Sequence, residues 1–121
     1  MLTYIAYGLA ILLNLGILFI GVRFLVVPWA AATGYGVPAE RDIAYLTVKG
    51  VRDSTYGLVG LALLAFVGAQ AEAWFMLVVA LAPLGDTVVV LRNGGTKATA
   101  FGIHFATAVV ILISAALLFA L

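Results

Sequence analysis

Long apolar stretches alternate along this chain with short polar ones. Four stretches stand out, at about residues 5–27, 47–68, 74–91 and 97–120. A helix needs roughly 20 apolar residues to cross the hydrocarbon of a bilayer, and these runs come close to that length or exceed it. The pattern predicts an all-α, four-helix transmembrane bundle that forms one domain over residues 1–121.

The polar punctuation predicts how the stretches are joined. The first ends at Val27-Pro28-Trp29, where Pro28 breaks a helix and Trp29 suits an interfacial belt. Residues 33–38, with Gly34, Gly36 and Pro38, read as a loop. Pro38 followed by Ala39-Glu40-Arg41-Asp42 reads as a helix start at the interface, because carboxylates favour a helix N-terminus. Ala69-Gln70-Ala71-Glu72 reads as a tight turn. Pro83 predicts a kink in the third stretch, and Thr96 a cap on the fourth. No repeat relates the two hairpins, which argues against an inverted-repeat transporter within one chain.

Composition agrees with a membrane fold. Of 121 residues, 66% are hydrophobic and 9% charged, against about 25% charged in soluble chains. The absence of cysteine excludes disulfides, thiolate nucleophiles and iron–sulfur clusters. A net charge of +1 and the lack of a basic stripe give no case for nucleic acid as a partner. The first stretch lacks the basic leader of a secretory signal and is read as a retained span. Arg23, Arg41, Lys49, Arg52, Arg92 and Lys97 all fall at one end of the four-span arrangement, opposite Glu72 and both termini. The positive-inside rule then predicts an inner or plasma membrane location, with cytoplasmic Lys/Arg-rich loops and both termini outside.

Candidate chemistry lies where polar groups enter the apolar stretches. Ionisable side chains are expensive in a bilayer and usually face a bundle interior or a polar cavity. Lys49, Arg52, Asp53 and Tyr56 run along one side of the second stretch, with Lys49–Asp53 and Arg52–Tyr56 each four apart. Asp86 lies about 9 Å along a helix axis from Arg92, and His104 sits at a similar depth in the fourth stretch. Asn14 falls near the middle of the first. The expected site has Asp53, Asp86, Arg52 and His104 as catalytic groups, with Asn14, Tyr56 and Lys49 orienting water or substrate. Two carboxylates in unlike surroundings hold different protonation states, one serving as acid and one as base. No metal or cofactor is implied: the His and two Asp come from three helices without local ligand spacing, and Gly94-Gly95 only makes a turn.

Val48-Lys49-Gly50-Val51-Arg52-Asp53 with Tyr56-Gly57-Leu58, and Pro83-Leu84-Gly85-Asp86 with Arg92-Asn93-Gly94-Gly95, resemble an uncharacterised family of small membrane proteins, domain of unknown function 4267. The resemblance implies a four-helix membrane fold and no particular activity. The architecture is also loosely similar to that of anthrone-oxygenase-like membrane enzymes, a likeness of fold alone.

Three functional classes follow. The first is a membrane-embedded enzyme doing acid–base chemistry on a lipophilic small molecule. Its most concrete form is epoxide hydrolysis by an Asp–Arg–Asp set, similar in chemistry to the limonene-epoxide-hydrolase type; isomerisation or cyclisation would use the same groups. The second is a proton-coupled transporter of hydrophobic compounds. Here the first span offers neutral Asn14 where small multidrug transporters carry an acid. The third is a non-catalytic assembly subunit, for which Gly8, Gly16, Gly21, Gly57 and Gly60 supply contact surfaces for other helices, including a second copy in a homo-oligomer.

Overall fold

The computed structural model describes residues 1–121 and contains helices and turns only. Four helices are long and apolar enough to cross a membrane: α1 (Leu2–Val26), α3 (Ile43–Val67), α4 (Ala69–Arg92) and α5 (Lys97–Phe119). A short helix, α2 (Pro28–Tyr35), lies outside the four spans, between α1 and α3. The spans run up and down, so the α1–α3 and α4–α5 connections share one end with most of the basic residues, here called the basic end.

Side-chain size is inverted relative to a soluble core. Ala6, Ala10, Ala73, Ala80, Ala100, Ala108 and Ala115 are buried, whereas Phe19, Phe66, Trp74 and Leu81 face outward. Lipid solvates large apolar side chains as well as a protein interior does, so helices in a membrane associate through small residues that let backbones approach. The α1–α3 pair, the most extensive packing in the fold, shows this directly. Gly21 lies against Gly50 and Ser54, and Gly57 against Leu18 and the Asn14 carbonyl. Gly60 lies against the Asn14 carboxamide. Gly21, Gly57 and Gly60 are therefore occupied inside the bundle, while Gly8 and Gly16 have open space where a Cβ would stand.

Several local expectations change. Residues 33–35, expected to begin a loop, are instead the end of α2 (Pro28–Tyr35). Pro28 ends α1 and also occupies the first turn of α2, where its missing N–H costs nothing. Gly36 closes α2 with φ +108°, a left-handed conformation that disfavours any residue with a Cβ. The α3 helix starts at Ile43, so Pro38–Asp42 precede it rather than form its first turn. The turn between α3 and α4 shrinks to Gly68, at φ +129°, and residues 69–72 are already helical. The α4 axis is interrupted at Ala80, one turn before Pro83, which cannot donate to the ring of bonds there. Thr96 caps α5 by accepting from the Thr99 N–H at 3.1 Å. The α3 and α5 helices each contain a π-wound turn, Leu63–Val67 and Ala100–Phe105.

Candidate functional site

Spans α1 and α3 form one close pair and α4 and α5 another; α3 and α4 meet only sparsely. Between the pairs lies a cavity of about 290 Å³. Leu13, Ile17, Met76, Val79 and Ile111 form its apolar wall. Tyr35, Lys49, Asp53, Tyr56, Asp86 and His104 gather toward its basic end, and Asn14 lies farther in. A side cleft of about 640 Å³ shares Tyr35, Asp53, Tyr56 and Asp86 with the cavity. It opens between α3 and α4 past Arg52, Gly85 and Val89.

The residue that organises the basic end is Tyr35, the last residue of α2. Its phenol donates to Asp86 Oδ1 at 2.7 Å. Its carbonyl accepts from His104 Nε2 at 2.7 Å. That bond places a proton on Nε2, and Nδ1 makes no bond within the chain. The Tyr35 ring lies 4.5 Å from the imidazole, centroid to centroid. Lys49 Nζ stands 4.8 Å from the Tyr35 ring centroid and 4.9 Å from that of Phe24, a cation held between two aromatic faces. The same ammonium donates to Asp53 Oδ2 at 2.7 Å, one helical turn along α3. Burial, followed by the Asp86 hydrogen bond and carboxylate charge, raises the Tyr35 phenol well above its ordinary value. Tyr35 therefore remains a protonated donor.

The backbone explains these positions. The left-handed turn at Gly36 seats the end of α2 against Gly95 in the α4–α5 connection and Thr99 in the first turn of α5, which aims Tyr35 inward. His104 lies in the π-wound turn of α5, where the extra residue per turn shifts side-chain direction. Asp86 follows the interruption in α4.

The chain belongs to the family described as Domain of unknown function (DUF4267).

The family's sequence model matches residues 14–118, nearly the whole chain. No curated protein and no solved structure matches. Within this family member, Asp53, Asp86, His104, Lys49, Tyr56 and Asn14 all line one cavity. Arg52 does not join them there. It is exposed, makes no hydrogen bond or ion pair, and stands at the side cleft. Asp53 is paired with Lys49 instead, so the Asp–Arg–Asp set expected for epoxide hydrolysis is not assembled. Arg52 and Tyr56, four apart on α3, share no hydrogen bond. No three His, Asp or Glu side chains converge at metal-ligand spacing.

Two functional candidates escape a sequence reading. Tyr35 sits in a segment that looks like a loop; the signal for its helix is the bracket formed by Pro28 and Gly36, at first turn and left-handed cap. Glu72 looks like a turn charge, yet it is fully buried and accepts from Asn14 Nδ2 at 2.7 Å. Its signal is the spacing of Glu72, Met76, Val79, Pro83 and Asp86, four and three apart, which puts all five on one helical stripe.

Proposed function

We propose that the protein is a membrane-embedded enzyme performing acid–base chemistry on a lipophilic small molecule, with Asp86 and Tyr35 as its working pair. The observation that carries this reading is the 2.7 Å Tyr35–Asp86 hydrogen bond at the polar end of an apolar cavity. An apolar wall suits a hydrocarbon body, and a few convergent polar groups suit one reactive oxygen function.

Isomerisation or cyclisation fits the arrangement better than epoxide hydrolysis, because Arg52 does not stand between the carboxylates. For a lipophilic ketone, the substrate oxygen competes for the Tyr35 hydrogen, which frees Asp86. Asp86 then takes the proton from the carbon beside the carbonyl. The C–H electron pair becomes the new C=C, and charge collects on oxygen, stabilised by the Tyr35 hydroxyl. Where the ketone is β,γ-unsaturated, return of that proton to the γ-carbon moves the existing double bond into conjugation as the C=O re-forms, with no net gain or loss of atoms or electrons. Lys49, one N–H of which is engaged by Asp53, supplies further donors. His104 holds Tyr35 in place through the carbonyl bond.

α-Ionone in deuterated buffer is a suitable probe. Wild-type protein in detergent should accelerate deuterium wash-in beside the carbonyl, read by mass spectrometry, and Asp86→Asn should fall toward the buffer rate. Equal rates in wild type and this variant would remove the chemistry. The side cleft supplies a route from the lipid. Gly85 lines it and has open space at its Cβ position. Gly85→Phe should fold normally and lower kcat/KM about tenfold, with kcat nearly unchanged, because only access is narrowed. An unchanged kcat/KM places the route elsewhere.

A proton-coupled transporter is the second reading, favoured by one observation: fully buried Glu72 adds a third carboxylate to buried Asp53 and half-buried Asp86, toward the opposite end of the bundle. Proton-driven flux of a hydrophobic cation in liposomes, lost in Asp86→Asn, would put that reading first.

A further inference from the structure

The far part of the cavity carries polarity that the acid–base reading does not use. Asn14 is 2% exposed and lines the cavity. One of its N–H groups goes to Glu72, and no other bond from this carboxamide is made within the chain. A second N–H and the amide oxygen therefore remain unspent. Buried polar groups are normally satisfied, so this amide finds its remaining partners in what fills the cavity beside it. Gly60 on α3 is pressed against this carboxamide, so the helix gives up its side chain to let Asn14 stand there.

Glu72 supplies the independent observation. It is fully buried, and its Oε2 has no hydrogen-bond partner. If Asn14 only joined helices, a neutral hydrogen bond to a serine would serve, without the expense of a carboxyl group inside a membrane fold. Thr107, another polar residue on the wall, has spent its one donor on the Ile103 carbonyl at 2.6 Å and can serve there only as an acceptor.

The two polar regions are separated by a definite length. Gly60 marks the level of Asn14 on α3, and Asp53 lies seven residues away, about 10 Å along the axis. Lys49 lies about 16 Å away by the same measure. The wall between them is mainly apolar, with Ile17, Met76 and Val79; Tyr56, one turn beyond Asp53, and Thr107 are its polar members.

We infer that the cavity takes an elongated lipophile oxygenated at both ends, with its far oxygen held by the Asn14 carboxamide and Glu72 acting as a positioning residue for that amide. For the near end this rests on the acid–base reading given above. The far oxygen accepts from the open N–H or, as a hydroxyl, donates to the amide oxygen. A simple monofunctional hydrocarbon chain leaves both unpaired and is selected against.

Decanol and its α,ω-diol, titrated calorimetrically into detergent-solubilised protein, test this. Both carry one hydroxyl for the basic end; only the diol carries one for Asn14. The diol's advantage over decanol should be about tenfold larger in wild type than in Asn14→Leu, a comparison that cancels partition into detergent. Should Asn14→Leu fail to fold with Glu72 left alone, the double variant Asn14→Leu/Glu72→Met removes both polar groups at similar volume and should show the same loss. An equal diol advantage in wild type and variant, or binding of neither alcohol, overturns the inference. Its fate is separable from that of the chemistry. Diol selectivity without deuterium wash-in leaves the two-ended site standing and removes the reaction; wash-in without diol selectivity does the reverse.

Discussion

Asp86→Asn and Tyr35→Phe should each slow deuterium wash-in by about 10²–10³-fold, and the double variant should be little slower than either alone. Asparagine keeps the shape of Asp86 but cannot take a proton from carbon. Phenylalanine keeps the Tyr35 ring against His104 and Lys49 and removes only the hydroxyl. The two side chains share one hydrogen bond of 2.7 Å and act on the same step, so removing either disables most of what the other contributes. Tyr45→Phe is the control, because Tyr45 is exposed and makes no side-chain hydrogen bond. Rates are read under single-turnover conditions, with circular dichroism to confirm folding. Multiplicative losses in the double variant would mean that the residues act independently, and wild-type rates in Tyr35→Phe would remove the phenol from the step.

The second large effect is on stability. Gly60→Ala should cost about 2–4 kcal/mol, combining an overpacked contact with a broken buried hydrogen bond. A Cβ at position 60 would collide with the Asn14 carboxamide, which is enclosed and has little room to retreat. Moving it breaks the bond to Glu72 and leaves that carboxyl group fully buried with neither oxygen engaged. Gly8→Ala provides the comparison: nothing lies within 4 Å of its Cβ position, and alanine is the better helix former. Unfolding in mixed detergent, followed by tryptophan fluorescence, should show a marked loss for Gly60→Ala and no loss for Gly8→Ala. Similar midpoints for the two would show that the α1–α3 contact relaxes freely.

The sequence by itself determined the number of long helices, their hydrophobic lengths, the Thr96 cap and the break near Pro83. It also brought out most of the polar groups that line the cavity. Each of these is a local matter: about 20 apolar residues must be helical in a membrane because no other backbone form satisfies its own hydrogen bonds there, and a polar residue inside such a run stands out on cost alone. Tertiary structure alone decided the partners between helices. The Lys49–Asp53 pair was legible as a four-residue spacing on α3, but the seating of that ammonium between two rings, and of Arg52 at the cleft outside the cavity, was not. Tyr35 became the centre of the basic end because a left-handed glycine and a π-wound turn, in separate segments, bring its phenol and carbonyl to Asp86 and His104. Glu72 moved from an apparent surface turn to the interior because a single glycine suffices to reverse the chain, which starts α4 five residues before its strongly apolar part. Pairings across helices depend on rotation about each axis and on how closely backbones approach, and no one segment of the chain carries that information.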